Sequence, residues 1–247
     1  MGRKCWHVDV PSHSSDRNSG EKNSITEQHS ILNWLDKQKP NSVLYVCFGS
    51  AMRIPDTQLA EIALALEESG HPFVWVVRKR EEEKESWLPE GFETKTGQRS
   101  LIKREWAPQD LILGHVAIGG FMTHCGWNSL VEGVAAGVPL ITWPLFAEQF
   151  YNEKLISRVL KIGVEVGSEE WNSGFEIKSP VVGKDKIVKA VTWLMGGSEE
   201  VQEIRRRAKE IGVMLHKPVE EGGSSYSDLG ALIEEIKARY DCRVKLD

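Results

Sequence analysis

Residues suited to binding an anion concentrate in the middle of the chain, where a predicted strand leads into a predicted helix. Gly126 ends the connection, and the helix begins at Trp127, Asn128 and Ser129. Free backbone amides at a helix N-terminus suit a phosphate group. The helix dipole adds only ~0.3–1 kcal/mol per anion, so side chains must supply directed hydrogen bonds as well. We predict a phosphate site to which His124, Asn128 and Ser129 contribute.

Other residues in the same segment suit a nucleoside and a sugar. Trp106 precedes a rigid Ala-Pro turn, where its indole can stack on a planar base, a contact worth about 1–3 kcal/mol. Glu132 lies one turn beyond Asn128 on the same helix face and can accept hydrogen bonds from ribose hydroxyls. Glu148 and Gln149 can do the same for a sugar.

Simpler interpretations stand beside these. His124 and the adjacent cysteine suggest a metal, but no further ligands follow at zinc spacing, which favours a packed cysteine and no metal. Ser50 lacks the GxSxG pattern of a hydrolase nucleophile, so we interpret it as a loop serine that contacts phosphate. Glu148 and Gln149 would alternatively only cap the helix that follows. The remaining tryptophans are assigned to the core or to interfaces: Trp6, Trp34, Trp75, Trp87, Trp143, Trp171 and Trp193.

Alternating strands and helices must position these residues. The apolar run 42–48 suits a buried parallel strand, and 72–77 is the next strand, after a helix that Asp56 is predicted to cap and Gly70 to end. This alternation predicts an α/β fold with a doubly wound parallel sheet, whose ligand lies beyond the carboxyl ends of the strands. Further strands are predicted at 101–106, 117–123 and 138–143, and helices at 31–38, 57–69, 108–113, 127–136, 147–160, 185–194, 199–215 and 227–240.

Composition excludes several classes of protein. A net charge of −5, from 31 basic and 36 acidic residues, gives no broad cationic surface for nucleic acid or acidic membranes. Four cysteines without a CxxC pair favour a reducing, cytoplasmic setting, and no apolar run reaches membrane-spanning length. We expect a lead-in at residues 1–30, a single domain at 31–247, solvated charge at 78–99, and ordinary surface for the arginines 205–207.

The spacing of WAPQ, HxxxGxFxTHCGWNS, a following glutamate, GVPLxxWP and a terminal acidic-Gln pair resembles the signature box of plant secondary-product glycosyltransferases. The resemblance extends over nearly the whole chain. It implies the C-terminal, donor-binding, Rossmann-like half of the GT-B fold. It also implies inverting transfer of a sugar from a UDP-sugar to a small acceptor, without a metal or other cofactor.

The resemblance also assigns residues to each part of UDP-glucose. The uracil and ribose are assigned to Trp106, the Ala107 backbone, Gln109 and Glu132. The diphosphate is assigned to Ser50, His124, Asn128 and Ser129. The sugar is assigned to Trp127, Glu148 and Gln149, and a glutamine at this last position is associated with glucose donors. Many members have aspartate where this chain has Glu148, so the longer side chain changes the hydrogen-bond geometry there.

Family members carry the acceptor pocket and a histidine general base in an N-terminal domain that nothing in this sequence matches. His124 is expected to donate to phosphate and is not assigned catalysis. Two functions therefore stay open: the donor domain of a UDP-glucosyltransferase for a plant phenolic or terpenoid, with little activity alone, or a non-catalytic nucleotide-sugar binding module. A nicotinamide dehydrogenase is disfavoured because no GxGxxG follows a strand. The last helix is expected to leave an apolar patch exposed, through which the chain self-associates.

Overall fold

A single parallel sheet with helices on both faces forms the centre of the molecule. The computed structural model describes residues 28–49, 54–77, 87–172 and 180–244. The strands are β1 (Val43–Cys47), β2 (Phe73–Val76), β3 (Ser100–Lys103), β4 (Ile118–Thr123), β5 (Leu140–Thr142) and β6 (Gly163–Glu165). The helices are α1 (28–35), α2 (Asp56–Ser69), α3 (Phe92–Thr96), α4 (Gln109–Leu113), α5 (Trp127–Ala135), α6 (Gln149–Lys154), α7 (Lys184–Met195), α8 (Glu199–His216) and α9 (Ser224–Val244).

The sheet has the order β3-β2-β1-β4-β5-β6, and every pairing is parallel. The chain builds outward from β1 to one edge and then returns to β4, on the other side of β1, to build the second half. Loops that leave β1 and β4 therefore diverge, and a crevice opens between them at the carboxyl ends of the strands. The predicted doubly wound sheet is confirmed.

Alternation along β1 fills a hydrophobic core on each face. Leu44 and Val46 pack with α2 and α7, whereas Val43 and Tyr45 pack with α1, α4 and α5 on the opposite face. All six residues of β4 are buried, as expected for a central strand covered on both sides.

Several boundaries differ from the sequence prediction. Pro55, not Asp56, occupies the N-cap position of α2, because the fixed φ of proline (−60°) holds an extended conformation there. Asp56 is instead the first helical residue, where its carboxylate still complements the helix dipole. Gly70 ends α2 in the left-handed conformation (φ 71°), as predicted. The first helix lies at 28–35, and the helix predicted at 147–160 is α6 followed by a π-helical stretch, Leu155–Leu160.

Two predictions about the surface are corrected. The segment predicted as solvated charge contains α3, whose Phe92 is buried against Phe73. Arg205 is not ordinary surface, because its buried guanidinium donates to the carbonyls of Gly119 (2.6 Å) and Leu194 (2.9 Å). Trp171 is 58% exposed, so of its two assignments the core is excluded and the interface stays a prediction. Ser50, Trp6, the charge run 79–85 and most of the lead-in lie outside the described residues.

Helix α9 has an apolar stripe exposed to solvent: Tyr226, Leu229, Ile233, Ile236 and Tyr240. Their spacing of three and four residues places them on one face of the helix. Across the described ranges, no helix is both long and apolar enough to cross a membrane.

Candidate functional site

An open cleft with a volume of about 810 Å³ lies at the carboxyl ends of the central strands, where the sheet topology predicts a ligand. Its walls come from β1, the connection from β3 to α4, and the first turns of α5. The lining residues are Tyr45, Cys47, Gly49, Val76, Arg104, Glu105, Trp106, Ala107, Gln109, Asp110, Asn128, Ser129 and Glu132. Six of the predicted ligand contacts thus line one cleft: Trp106, Ala107, Gln109, Asn128, Ser129 and Glu132.

A hydrogen-bonded chain of side chains forms one wall of the cleft. The Tyr45 hydroxyl donates to Gln109 Oε1 at 3.2 Å, which directs Gln109 Nε2 toward Glu132 Oε2 at 2.6 Å and Ser129 Oγ at 3.3 Å. Burial raises the pKa of Tyr45 well above its usual range, so the phenol stays neutral and keeps its proton for this bond. Only one oxygen of the exposed Glu132 carboxylate is engaged with Gln109, so the other can accept from a ligand.

Tyr45 was missed by the sequence analysis because it lies within a continuous apolar strand. It is 1% exposed and stacks on Phe121, with ring centroids 5.0 Å apart. The sequence offered one indication of its role, which is that Tyr45 carries a hydroxyl group only two positions before the end of the first strand. Its role here is to hold Gln109 in the orientation that pairs with Glu132.

The two tryptophans predicted to contact the ligand are both exposed, and Trp106 is the one that lines the cleft. Trp106 is 71% exposed and Trp127 is 55% exposed, although large aromatic side chains are usually well buried. The neighbouring Ala107 is only 8% exposed, so the chain enters the cleft wall directly after Trp106. Exposed indoles at the rim of a cleft are suited to stacking on a planar or sugar ligand.

The N-terminus of α5 is open to an anion. Gly126 occupies the N-cap position with an extended backbone (φ −62°, ψ 140°) and has no side chain to bond the first amides of the helix. Asn128 is exposed there, whereas Ser129 is mostly buried and accepts from Gln109. Asn152 Nδ2 donates to the Cys125 carbonyl at 2.9 Å and so fixes the turn before α5, a role the sequence analysis did not foresee.

The His124 imidazole is fitted between two glycines. A Cβ added at Gly49 would lie 2.7 Å from His124 Cε1, and one added at Gly126 would lie 2.4 Å from Nε2. Burial lowers the pKa of His124 to about 4, while the nearby Glu148 carboxylate acts in the opposite direction. The imidazole is therefore neutral at physiological pH and can donate one N–H.

Cys125 is fully buried, and its Sγ lies 3.6 Å from the Thr123 carbonyl. Burial raises the pKa of this thiol, which keeps it protonated and unsuited to ligating a metal. Within the described ranges, no group of three or more His, Cys, Asp or Glu residues is arranged to hold a metal ion. The favoured interpretation of Cys125 as a packed residue agrees with its burial.

Glu148 and Gln149 lie on the connection from β5 to α6. Glu148 is exposed and makes no side-chain capping bond, so the capping alternative fails for it. Gln149 is 3% exposed, and its Oε1 accepts from the amides of Leu145 (2.9 Å) and Phe146 (3.1 Å). The side-chain oxygen of Gln149 thus stabilises the loop that precedes α6, and the side-chain NH₂ group is the part left to donate to a ligand.

Comparison with known proteins identifies close relatives. Residues 2–170 match the family described as UDP-glucoronosyl and UDP-glucosyl transferase. UDP-glucose flavonoid 3-O-glucosyltransferase 7 of Fragaria ananassa is 51% identical over 246 residues, which cover 96% of this chain and 50% of that protein. Abscisate beta-glucosyltransferase of Phaseolus angularis is 49% identical over 252 residues, 96% of this chain and 53% of that protein. The chain spans about half the length of the curated relatives it matches.

Comparison with solved structures points to the same family of proteins. The crystal structure of Glycyrrhiza uralensis UGT73P12 complexed with glycyrrhetinic acid 3-O-monoglucuronide superposes with a TM-score of 0.80 at 48% identity, covering 87% of this chain and 44% of that chain. Medicago truncatula UGT71G1 complexed with UDP-glucose superposes with a TM-score of 0.73 at 34% identity, covering 92% of this chain and 46% of that chain. These matches confirm the predicted Rossmann-like half of the GT-B fold.

Proposed function

This chain belongs to the UDP-glucoronosyl and UDP-glucosyl transferase family, and from that premise we propose that it is the donor-binding half of a UDP-glucosyltransferase. The observation that carries the proposal is the cleft between β1 and β4, where an exposed Trp106 stands beside the bonded pair Gln109 and Glu132. An aromatic platform next to hydrogen-bonding groups for a ribose matches a nucleoside. We propose residues 1–30 as a lead-in and 31–247 as this donor domain, in the cytoplasm.

Each part of UDP-glucose has a proposed partner. Trp106 stacks on uracil, and the Ala107 backbone contacts its edge. Gln109 and the second Glu132 oxygen hold the ribose hydroxyls, with Tyr45 fixing the Gln109 amide from below. This arrangement is supported by the single cleft that Trp106, Ala107, Gln109 and Glu132 line together.

The diphosphate is proposed to lie at the N-terminus of α5, where backbone amides, Asn128 and the neutral His124 donate to it, together with Ser50. In a glycosyl transfer the bond between the sugar and the diphosphate oxygen breaks, and negative charge develops on that oxygen. Donors fixed before the reaction stabilise this charge because they need no reorganisation as it develops. We infer that the transfer needs no metal ion, since these donors would stabilise the charge on the leaving group themselves.

The sugar is proposed to lie near Trp127, Glu148 and Gln149, and the Gln149 amide is the basis for preferring glucose. The acceptor is proposed to be a small plant metabolite, a phenolic or a terpenoid. Relatives named for flavonoid and abscisate glucosylation support this class. The acceptor pocket and the general base are assigned to an N-terminal half that this chain does not match, so the chain alone should have little activity.

A non-catalytic nucleotide-sugar binding module is the second candidate, favoured by the coverage of only about half of each relative. Calorimetric titration with UDP and UDP-glucose tests the binding that both candidates share, and a turnover assay with the chain joined to an N-terminal half separates them. Trp106→Ala should weaken UDP binding about 5- to 150-fold, the equivalent of a stacking contact of ~1–3 kcal/mol.

The matched control is Tyr240→Ala, which removes a similarly exposed ring (69% against 71% for Trp106) from helix α9, none of whose residues lines the cleft. Tyr240→Ala should bind UDP like the wild type. A folded wild-type chain that binds neither UDP nor UDP-glucose would refute the proposal that the donor site is complete in this half.

A further inference from the structure

The loop that carries the proposed sugar contacts is bound along its length by a second segment that has no assigned role. We call residues 144–148 the sugar loop and residues 168–172 the latch segment. Ser168 Oγ donates to the Pro144 carbonyl at 3.0 Å, and the Trp171 indole N–H donates to the Ala147 carbonyl at 3.0 Å. The latch segment therefore contacts the sugar loop near both of its ends.

The middle of the sugar loop is held by Asn172. Its side-chain Nδ2 and its backbone amide both donate to the Leu145 carbonyl, at 2.8 and 3.2 Å. Asn172 is 6% exposed and pairs with Phe146 as a parallel bridge. In addition, Gln149 Oε1 accepts hydrogen bonds from the backbone amides of Leu145 and Phe146. Carbonyls and amides of the same short loop are thus fixed by different partners.

The backbone at Ala147 requires this support. Its φ of 53° lies in the left-handed region, which costs roughly 1 kcal/mol for a residue with a Cβ and persists only where neighbouring contacts hold it. The residue directly after Ala147 is Glu148, whose side chain is exposed, and Gln149 follows at the start of α6. A change in the Ala147 backbone would therefore swing both proposed sugar contacts.

Burial does not explain Trp171. Its ring is 58% exposed, yet its indole N–H is directed at the one carbonyl that precedes Glu148. We propose that the latch segment, with Trp171 as its terminal contact, is a positioning element that fixes Glu148 and Gln149 for the sugar of the donor. This inference rests on the proposed function. It assigns Ser168, Trp171 and Asn172 to sugar recognition through the loop, not through contact with the sugar.

The latch is expected to act on the sugar and not on UDP, because every part of UDP is assigned elsewhere. The uracil and ribose are assigned to the wall formed by Trp106, Gln109 and Glu132, and the diphosphate is assigned to the N-terminus of α5. Loosening the latch should therefore weaken UDP-glucose binding and leave UDP binding unchanged. A merely structural role would lower both affinities or neither. The ratio of the two dissociation constants is the readout.

The test is calorimetric titration of the whole chain with UDP and with UDP-glucose. Trp171→Phe keeps a six-membered aromatic ring but removes the indole N–H with its five-membered ring, as the control variant Trp34→Phe does too. Ser168→Ala removes the hydrogen bond at the other end of the loop. Each should raise the Kd for UDP-glucose roughly three- to tenfold, the effect of one lost hydrogen bond, with the Kd for UDP unchanged. The Kd of Trp171→Ala for UDP-glucose should not exceed that of Trp171→Phe by more than a few-fold.

Trp34→Phe is the matched control, because its indole N–H also donates to a backbone carbonyl, that of Gln98 at 3.2 Å. Gln98 precedes β3 and so lies at the opposite end of the sheet from the cleft. This variant should leave both affinities unchanged. Melting temperatures establish that every variant is folded.

Distinct results overturn distinct claims. A wild type that does not bind UDP overturns the proposed function and the latch with it. A wild type that binds both ligands, with Trp171→Phe and Ser168→Ala unchanged for UDP-glucose, overturns the latch alone. A large loss in Trp171→Ala with none in Trp171→Phe would show that the ring contacts the sugar directly, which also overturns positioning through the loop.

Discussion

Replacing Gly126 with alanine tests whether the fit of His124 against the start of α5 creates the phosphate site. The backbone there (φ −62°, ψ 140°) suits alanine, so the substitution strains no dihedral angle. The new Cβ would lie 2.4 Å from His124 Nε2 and 2.9 Å from Cε1. Since non-bonded heavy atoms in contact lie about 3.5 Å apart, the imidazole has to move by roughly 1 Å.

A displaced imidazole loses its directed hydrogen bond to the diphosphate. Hydrogen bonds to charged groups contribute ~1.5–3 kcal/mol, so the Kd for UDP should rise about 10- to 150-fold. The fold should be retained, because replacing glycine with alanine at a compatible position stabilises a protein by ~0.4–1 kcal/mol through the unfolded chain and offsets part of the packing cost. Gly49→Ala is less informative, because the φ of 71° at that position adds backbone strain.

Calorimetry with UDP measures the effect, and Gly197→Ala is the control, since no heavy atom lies within 4 Å of a Cβ at that position. The double variant Gly126→Ala/His124→Ala should bind UDP no more weakly than His124→Ala alone, because the imidazole that the new Cβ would contact is then absent. Wild-type affinity in Gly126→Ala, or a further loss in the double variant, would refute the steric argument.

Three further predictions concern protonation, packing and association. His124 has a pKa of about 4 in the folded state against 6.5 ordinarily, so its contribution to stability is present above pH 6.5 and is lost as pH falls toward 4. Over this range the melting temperature of the wild type should fall further than that of His124→Gln. Equal decreases in the two melting temperatures would contradict the prediction. Arg205→Met should lower the free energy of unfolding by ~2–3 kcal/mol in denaturant titrations, because two buried carbonyls lose their donor, with the UDP affinity of the folded chain unchanged. The α9 stripe should cause concentration-dependent association in sedimentation velocity that Ile233→Lys reduces, whereas a wild type that is monomeric at every concentration would show that the stripe does not self-associate.

The sheet could be predicted from the sequence because parallel strands that are covered on both faces consist mostly of consecutive apolar residues. The runs that contain β1 and β4 are long and unbroken, and they end in glycine or in small polar residues where the loops begin. The short strand β6, Gly163–Glu165, was not predicted, because its three residues are glycine, valine and glutamate and do not belong to a longer apolar run like the one that contains β5. Helix α3 was hidden for a similar reason, since it has only five residues next to a charged run.

Six of the residues that line the cleft could be predicted from the sequence, but the hydrogen bonds between them could not. Gln109 and Glu132 were assigned to the same ribose, yet their hydrogen bond to each other joins residues 23 positions apart. Asn152 and Arg205 bond carbonyls 27 and 86 positions away, and no local pattern encodes such contacts. Polar residues that fix backbone from a distance therefore look like ordinary helix residues in the sequence.

The neutrality of His124 bears on how the proposed donor site would assist transfer. A neutral N–H donor, held in place by Gly49 and Gly126, interacts more strongly as negative charge develops on the leaving oxygen. Under the proposed function, a fixed donor at His124 would contribute leaving-group stabilisation from this half, and the acceptor base is assigned to the other half.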